Sequence, residues 1–156
     1  MLFRSYDVGL HGQPVVFCLD RAGVTGDDGP SHHGVLDLVL LSKVPGMTVF
    51  APSSYQDLQV MLHDALDLPG PAAIRFPKTA ARVVGEDEVG HGLHAKRLRS
   101  GSDVCILGVG KMVGAALDAA ARLAASGVEA SVWDVRVVKP LDPAMIADAE
   151  IGRAHV

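Results

Sequence analysis

The sequence predicts an α/β protein in two pieces: part of a parallel-sheet domain, then the truncated start of a second α/β domain. Three observations predict it. Short apolar runs rich in β-branched residues lack polar alternation, as strands covered on both faces do. Amphipathic stretches with helical spacing alternate with those runs. Glycine-rich or proline-containing turns stand between them.

The run 14–19, PVVFCL, is the first strand, and its lack of alternation predicts cover on both faces. It ends at Asp20-Arg21, and a glycine-rich loop runs on to Gly34. A helix is expected over 34–43 and a second strand over 47–51. Ser53 and Gln56 have capping-box spacing at the start of the next helix, and Leu58, Met61, Leu62 and Leu66 form its apolar stripe. The segment 67–71, DLPGP, breaks that helix, and 72–76 is a third strand carrying Arg75 near its end. From 77 to 102 glycines, histidines and charges mix with short apolar pairs, which suggests a linker with room for a small hairpin. Then come a strand over 104–108, an Ala/Leu helix over 113–126 closed by Gly127, a strand over 128–138, a turn over 139–142 and a helix from Pro143. The expected organisation is a first domain over 6–80, a linker over 81–102 and the start of a second domain over 103–149.

Composition narrows the function classes. Of the 156 residues, 49% are hydrophobic and 21% charged, so the chain can build a core. The formal net charge of -4 offers no electrostatic case for nucleic acid, and 4% aromatics disfavour base-stacking platforms. No apolar window approaches the ~20 residues of a membrane span, and no signal peptide is expected. Cys18 and Cys105 each fall inside a strand run, where a small core hydrophobe is the ordinary reading. They form no disulfide or zinc framework, and a reducing cytoplasm fits them.

Three features could carry chemistry. In the loop, Asp20, Arg21, Asp27, Asp28, His32 and His33 are interleaved with Gly23, Gly26, Gly29 and Gly34. Ligands of open α/β sheets bind at the carboxyl ends of strands, and acid, guanidinium and imidazole there supply charge, hydrogen bonds and proton transfer. A solvated surface loop has the same composition, and neither Asp27-Asp28 nor His32-His33 has the spacing of a metal site. Arg75 either caps the sheet edge in solvent or clamps a carboxylate or phosphate. Gly108, Gly110 and Gly114, with Asp134 closing the next strand, imitate a dinucleotide fingerprint, but the third glycine is one position late.

LDRAGVTGDDGPSHHG (19–34), VPGMTVFAPSS (44–54), GPAAIRFPK (70–78) and VWDVRVVKPLD (132–142) occur in order. Together they resemble the 1-deoxy-D-xylulose-5-phosphate synthases, transketolase-like thiamine-diphosphate enzymes, over about 6–149. The resemblance implies a partial pyrimidine-binding (transketolase central) domain and a truncated carboxy-terminal transketolase domain. It implies condensation of pyruvate with glyceraldehyde 3-phosphate with loss of carbon dioxide, supplying isoprenoid, thiamine and pyridoxal precursors in a bacterial cytoplasm. It implies Asp28 as the acid holding a substrate hydroxyl and His32 as the histidine that bonds the ketol oxygen and shuttles protons. Arg21 and Arg75 match arginines that grip substrate carboxylate or phosphate, His33 matches no fixed position and is expected at the surface, and the glycine turn at 108–114 binds no nucleotide. Thiamine diphosphate and Mg2+ are implied for the whole homodimeric enzyme, with their ligands outside this chain and no membrane or nucleic-acid partner. Another transketolase-type enzyme, such as a 2-oxoacid dehydrogenase beta chain, or a non-catalytic ligand-binding module of the same fold, is the alternative.

Read this way, the chain is an interior fragment, inactive alone and poorly soluble or partly unfolded, because a cut sheet exposes strand edges. Its ends have a further reading. LFRS (2–5) is encoded by CTCTTCCGATCT and IGRAHV (151–156) by ATCGGAAGAGCACACGTC, strings of a common sequencing adapter. Residues 1–5 and 151–156 are therefore expected to be adapter translation. Any other codons at those positions remove the idea.

Overall fold

The structure, a computed structural model, describes residues 2–151; the expected adapter stretch at 152–156 lies outside the described residues. The chain folds into two sheets. The first has the order β1 (Val16–Leu19), β3 (Ala72–Arg75), β2 (Thr48–Phe50), β7 (Val137–Lys139). β1, β3 and β2 run parallel, and β7 joins β2 antiparallel. The second sheet has the order β4 (Lys96–Arg99), β6 (Ala130–Asp134), β5 (Val104–Gly108), with β5 and β6 parallel and β4 antiparallel to β6.

Alternation along the strands builds the core. Ala72 and Ile74 face one side with Phe50 and Val137, where α3 (Tyr55–Leu66) adds Met61 and Ala65. Ala73 and Val49 face the other side with Met47, where α2 (Asp37–Ser42) adds Leu41. Lys139 donates from Nζ to the carbonyls of Ser42 and Val44 at 3.0 and 2.7 Å, a cation on the carboxyl end of α2. In the second unit α4 (Met112–Ala124) lays Ala116 and Ala120 on Ala130 and Val132. Asp142 accepts from the Ala144 N–H at 2.9 Å and so caps α5 (Pro143–Ile151), which begins on proline. α1 (Leu2–Leu10) precedes β1 and contains residues 2–5. No helix among the described residues is long and apolar enough to cross a membrane.

The α/β class and the parallel run of β1, β3 and β2 stand as expected; several details differ. The expected strand over 128–138 is two strands. Arg136 takes φ +55° and turns the chain, so that β7 leaves the second sheet and adds to the first. The expected linker contains β4, a full edge strand. β1 is itself an edge strand, half-buried rather than covered on both faces, and Cys18 on it is exposed rather than in the core. The cap of α3 is Ser54, not Ser53: its Oγ accepts from the Asp57 N–H at 3.0 Å. Ser53 turns inward instead and donates to Asp134 at 2.5 Å. Of the expected stripe on α3, Met61 is buried, while Leu62 and Leu66 are exposed and Ala65 faces the core instead.

A buried polar cluster joins the two sheets. Arg136, fully buried, donates from Nε to Asp57 at 3.2 Å and from Nη1 to the carbonyls of Gly92 and His94 at 3.1 and 2.7 Å. Its own N–H donates to Asp134 at 3.0 Å. Gly90 is glycine because a Cβ there would stand 2.4 Å from the Arg136 side chain.

Candidate active site

The loop after β1 starts with a backbone reversal. Arg21 takes φ +61°, the N–H of Gly34 donates to its carbonyl at 2.9 Å, and the N–H of Gly23 returns to the Gly34 carbonyl at 3.2 Å. These bonds tie the ends of a compact surface loop, and only glycine fits at 34, where a Cβ would meet the Arg21 carbonyl oxygen at 2.6 Å. Two short 3-10 turns, Gly26–Asp28 and Pro30–His32, fill the loop.

The reversal directs Arg21 along the loop. Its Nε donates to Asp28 at 2.7 Å, and its Nη1 pairs with Asp20. Lys78, just beyond β3, donates to the other Asp28 oxygen at 2.8 Å. The Lys78 ammonium and then the Arg21 guanidinium hold the Asp28 carboxyl down at about 2. The Arg21 guanidinium is raised in turn, by its hydrogen bond to Asp28 and the charges of Asp20 and Asp28. Asp28 is therefore a carboxylate throughout the neutral range, an acceptor rather than a proton donor.

Beside this trio lies a cleft of ≈ 540 Å³. Its walls are the loop residues 22–27, the carboxyl end of β3 with Arg75 and Lys78, and the turn 109–112 that opens α4. This is the carboxyl edge of the parallel strands, where open α/β sheets bind ligands. Arg75 lines the cleft while its Nε donates to Asp37 at 2.8 Å, so it already has a carboxylate partner at the start of α2. His32 is exposed and bonds Ser31 at 3.2 Å; it does not line the cleft. His33, expected at the surface, is half-buried and its Nε2 meets the Thr25 carbonyl at 3.1 Å, which braces the loop.

The structure thus brings Arg21 and Asp28 together, sets Arg75 in the neighbouring wall and leaves His32 apart. Sequence reading missed Lys78, although its place three residues after Arg75 at a strand end was a usable signal. It also missed Lys111, which reaches the cleft from the second sheet through the glycine turn. That turn is a strand-to-helix crossover: a Cβ at Gly108 would meet Val113 at 2.9 Å. Among the described residues no three His, Cys, Asp or Glu side chains converge to hold a metal ion.

An open α/β sheet pair with a loop-built cleft at its carboxyl edge defines a class, and comparison with known proteins agrees. Residues 2–84 match the family profile "Transketolase, pyrimidine binding domain", and residues 93–154 match "Transketolase, C-terminal domain". The chain belongs to the transketolase family. Among curated relatives it is 46% identical to the 1-deoxy-D-xylulose-5-phosphate synthase of Anaeromyxobacter dehalogenans, over 96% of this chain and 24% of that protein. It is 45% identical to the 1-deoxy-D-xylulose-5-phosphate synthase 1 of Geobacter sulfurreducens, over 92% of this chain and 23% of that protein. The chain therefore spans about a quarter of the length of these relatives. Among solved structures, a split-gene transketolase described as an inactive beta4 tetramer superposes with a TM-score of 0.78 at 30% identity, over 88% of this chain and 44% of that one. The transketolase of Campylobacter jejuni shares the fold, with a TM-score of 0.82 at 19% identity over 93% of this chain and 24% of that one.

The family depends on thiamine diphosphate. The described residues do not fit its metal ion: the cleft wall is cationic at Arg75, Lys78 and Lys111, and Asp28 is committed to Arg21 and Lys78.

Proposed function

We propose that this chain forms the substrate side of a 1-deoxy-D-xylulose-5-phosphate synthase site, condensing pyruvate with D-glyceraldehyde 3-phosphate with loss of carbon dioxide. The observation that carries the reading is the anion-receptive edge where Arg21, Asp28 and Lys78 form one ion cluster beside a cleft lined by Arg75, Lys78 and Lys111. Both substrates are anions, and fixed cations at a strand edge bind and orient them. Asp28, held ionised, accepts a hydrogen bond from a substrate hydroxyl. His32, exposed on its 3-10 turn, exchanges protons with the reacting oxygen once substrate and the remainder of the site close on it. Arg21 sets the position of Asp28, and Arg75 meets the carboxylate or phosphate from the facing wall. Thiamine diphosphate, which stabilises the carbanion when bound, and Mg2+ are held in this reading by residues outside this chain. The exposed apolar residues Val35, Leu36, Val39 and Leu40 beside the loop support a partner surface, a second subunit in a homodimer.

Grafting residues 6–149 into a full-length synthase tests the reading through ketose-phosphate formation. The graft is expected to be active, with His32→Ala lowering kcat by about 100-fold, as for loss of a positioned proton-transfer group. Asp28→Asn is expected to lower kcat/KM without unfolding the protein. An active graft indifferent to both substitutions removes the site assignment, and an inactive, folded graft removes the activity.

A further inference from the structure

Three arginines among the described residues donate from Nε to an aspartate: Arg21 to Asp28, Arg75 to Asp37 and Arg136 to Asp57. Two of them also use a terminal nitrogen within the protein. Arg21 pairs Nη1 with Asp20, and Arg136 donates Nη1 to the carbonyls of Gly92 and His94. Arg75 differs. Neither of its terminal nitrogens has a partner among the described residues, and neither is sealed from solvent, although its side chain as a whole is only 12% exposed. A guanidinium is planar, so a partner at Nε fixes the plane and leaves the two terminal nitrogens as a fork for two oxygens of one anion. Arg75 ends β3, an inner strand of the first sheet, and lines the cleft. Asp37 is itself locked, its Oδ1 accepting from the Leu38 N–H at 2.7 Å and its Oδ2 from Arg75 at 2.8 Å. One turn further on, Leu41 pins α2 into the core. Asp37 does not line the cleft; it stands behind the arginine.

We propose that Asp37 is a positioning residue: it holds Arg75 by Nε and so presents the terminal fork of that arginine to a pair of substrate oxygens in the cleft. The inference rests on the synthase reading above, and the shared chemistry is an oxyanion, the carboxylate of one substrate or the phosphate of the other. A free arginine loses the rotamer freedom of a long side chain when it grips a ligand, whereas one already held gives up little. Asp37 has an opposite effect as well, since its negative charge beside Arg75 weakens the pull on an anion. The two effects are separable, because Asp37→Asn removes the charge and keeps an acceptor, while Asp37→Ala removes both. Lysine cannot replace the arginine here. Its single nitrogen meets either Asp37 or the substrate, and no second nitrogen is left over to complete a fork.

Steady-state kinetics of the grafted synthase, with pyruvate and glyceraldehyde 3-phosphate varied separately, test it. Arg75→Ala is expected to raise the KM of the substrate it grips about 10- to 100-fold, the range of charge-assisted hydrogen bonds. Asp37→Ala is expected to raise the same KM about tenfold, as for a displaced binding group, with a smaller change in kcat. Asp37→Asn is expected to restore most of that loss, and Arg75→Lys to behave like Arg75→Ala. A rise confined to pyruvate identifies the carboxylate as the ligand; one confined to the aldehyde identifies the phosphate. Because Asp37 acts through Arg75, Asp37→Ala is expected to add nothing to Arg75→Ala, whereas a merely structural aspartate worsens both backgrounds by the same factor. Equal factors in both backgrounds, a KM lowered by Asp37→Ala, or an Arg75→Ala graft with both KM values unchanged overturns the proposal and leaves the synthase reading standing. A folded but inactive graft removes the synthase reading instead. Calorimetric titration of that graft with each substrate alone then decides the positioning: the same pattern of affinities across the four substitutions and the double variant supports it, and affinities indifferent to Asp37→Ala overturn it.

Discussion

Arg21 and Arg136 are the two non-glycine residues with positive φ among the described residues, at +61° and +55°. Each stands two positions beyond the end of a strand, and each donates from Nε to an aspartate, Asp28 or Asp57. A left-handed conformation costs an ordinary residue about 1–2 kcal/mol, so both must be held by their surroundings. The surroundings differ completely. Arg21 keeps a third of its side chain in water beside a flexible lysine, whereas Arg136 is sealed between two sheets. The nearby acids diverge accordingly: Lys78 and Arg21 hold Asp28 down at about 2, while burial pushes Asp134 up to about 6 against the bonds from Ser53 and Arg136. One arginine cluster is open to solvent beside the cleft; the other is buried between the two sheets.

That contrast breaks first at Arg136. Arg136→Met fills similar space but leaves Asp57 and Asp134 buried without their cation, and removing one partner of a buried pair costs about 3–5 kcal/mol. Chemical denaturation is expected to show a lower midpoint, with β7 detaching from the first sheet. A midpoint within experimental error of the parent would show that the cluster does not fasten the lobes.

The two acids predict opposite pH dependences. Asp134 has a folded value above its unfolded value of 3.8, so ionising it opposes folding. Its penalty is absent below about pH 4, grows as pH rises and is complete above about 6, reaching roughly 3 kcal/mol for a shift of about two units. Asp134→Asn keeps an acceptor for the Arg136 N–H and is expected to flatten stability between pH 4 and 6 and to raise it at pH 7. Asp28 lies below its unfolded value, so its contribution is present above about pH 4 and fades as pH falls towards 2. Asp28→Asn is expected to lower stability above about pH 4 and to flatten its fall between pH 4 and 2, leaving the two proteins most alike at the acid end. Stability curves that leave Asp134→Asn parallel to the parent from pH 4 to 6 would remove the assignment.

These clusters also mark how far the sequence could be read. The loop cluster was legible because charged residues and glycines gather at a strand end, a pattern with a known physical use. Arg136 was not, because VWDVRVV reads as continuous β-sequence and nothing local announces that one arginine will reverse the backbone and send β7 to the other sheet. Capping of α3 slipped by one residue for a related reason: Ser53 and Ser54 are both competent caps, and the choice is made by Asp134, 81 positions away. Ser54→Ala is expected to cost about 1 kcal/mol by thermal denaturation. Ser53→Ala tests the same competition from the other side, since it takes a donor from Asp134 without touching the cap. Cys18 was placed in the core because an edge strand and a central one share the same apolar composition, and only the pairing partners tell them apart.

The smallest expected effect is the most discriminating. Arg21→Gly relieves a left-handed residue, which favours the fold by about 1 kcal/mol. It also removes two ion pairs that are partly in water, each contributing about 0–1 kcal/mol. The terms oppose, and thermal stability is expected to stay within about 1 kcal/mol of the parent. The same change at Arg136 relieves the same strain but strips the buried Asp57 of its cation and opens a cavity, so it is expected to cost several kcal/mol. In the grafted synthase, Arg21→Gly is expected to lower kcat/KM well beyond its effect on stability, because Asp28 loses the group that positions it. If Arg21→Gly instead destabilises the fold as strongly as Arg136→Gly, the loop is a structural fastener like the buried cluster, and the division of labour between the two arginines disappears.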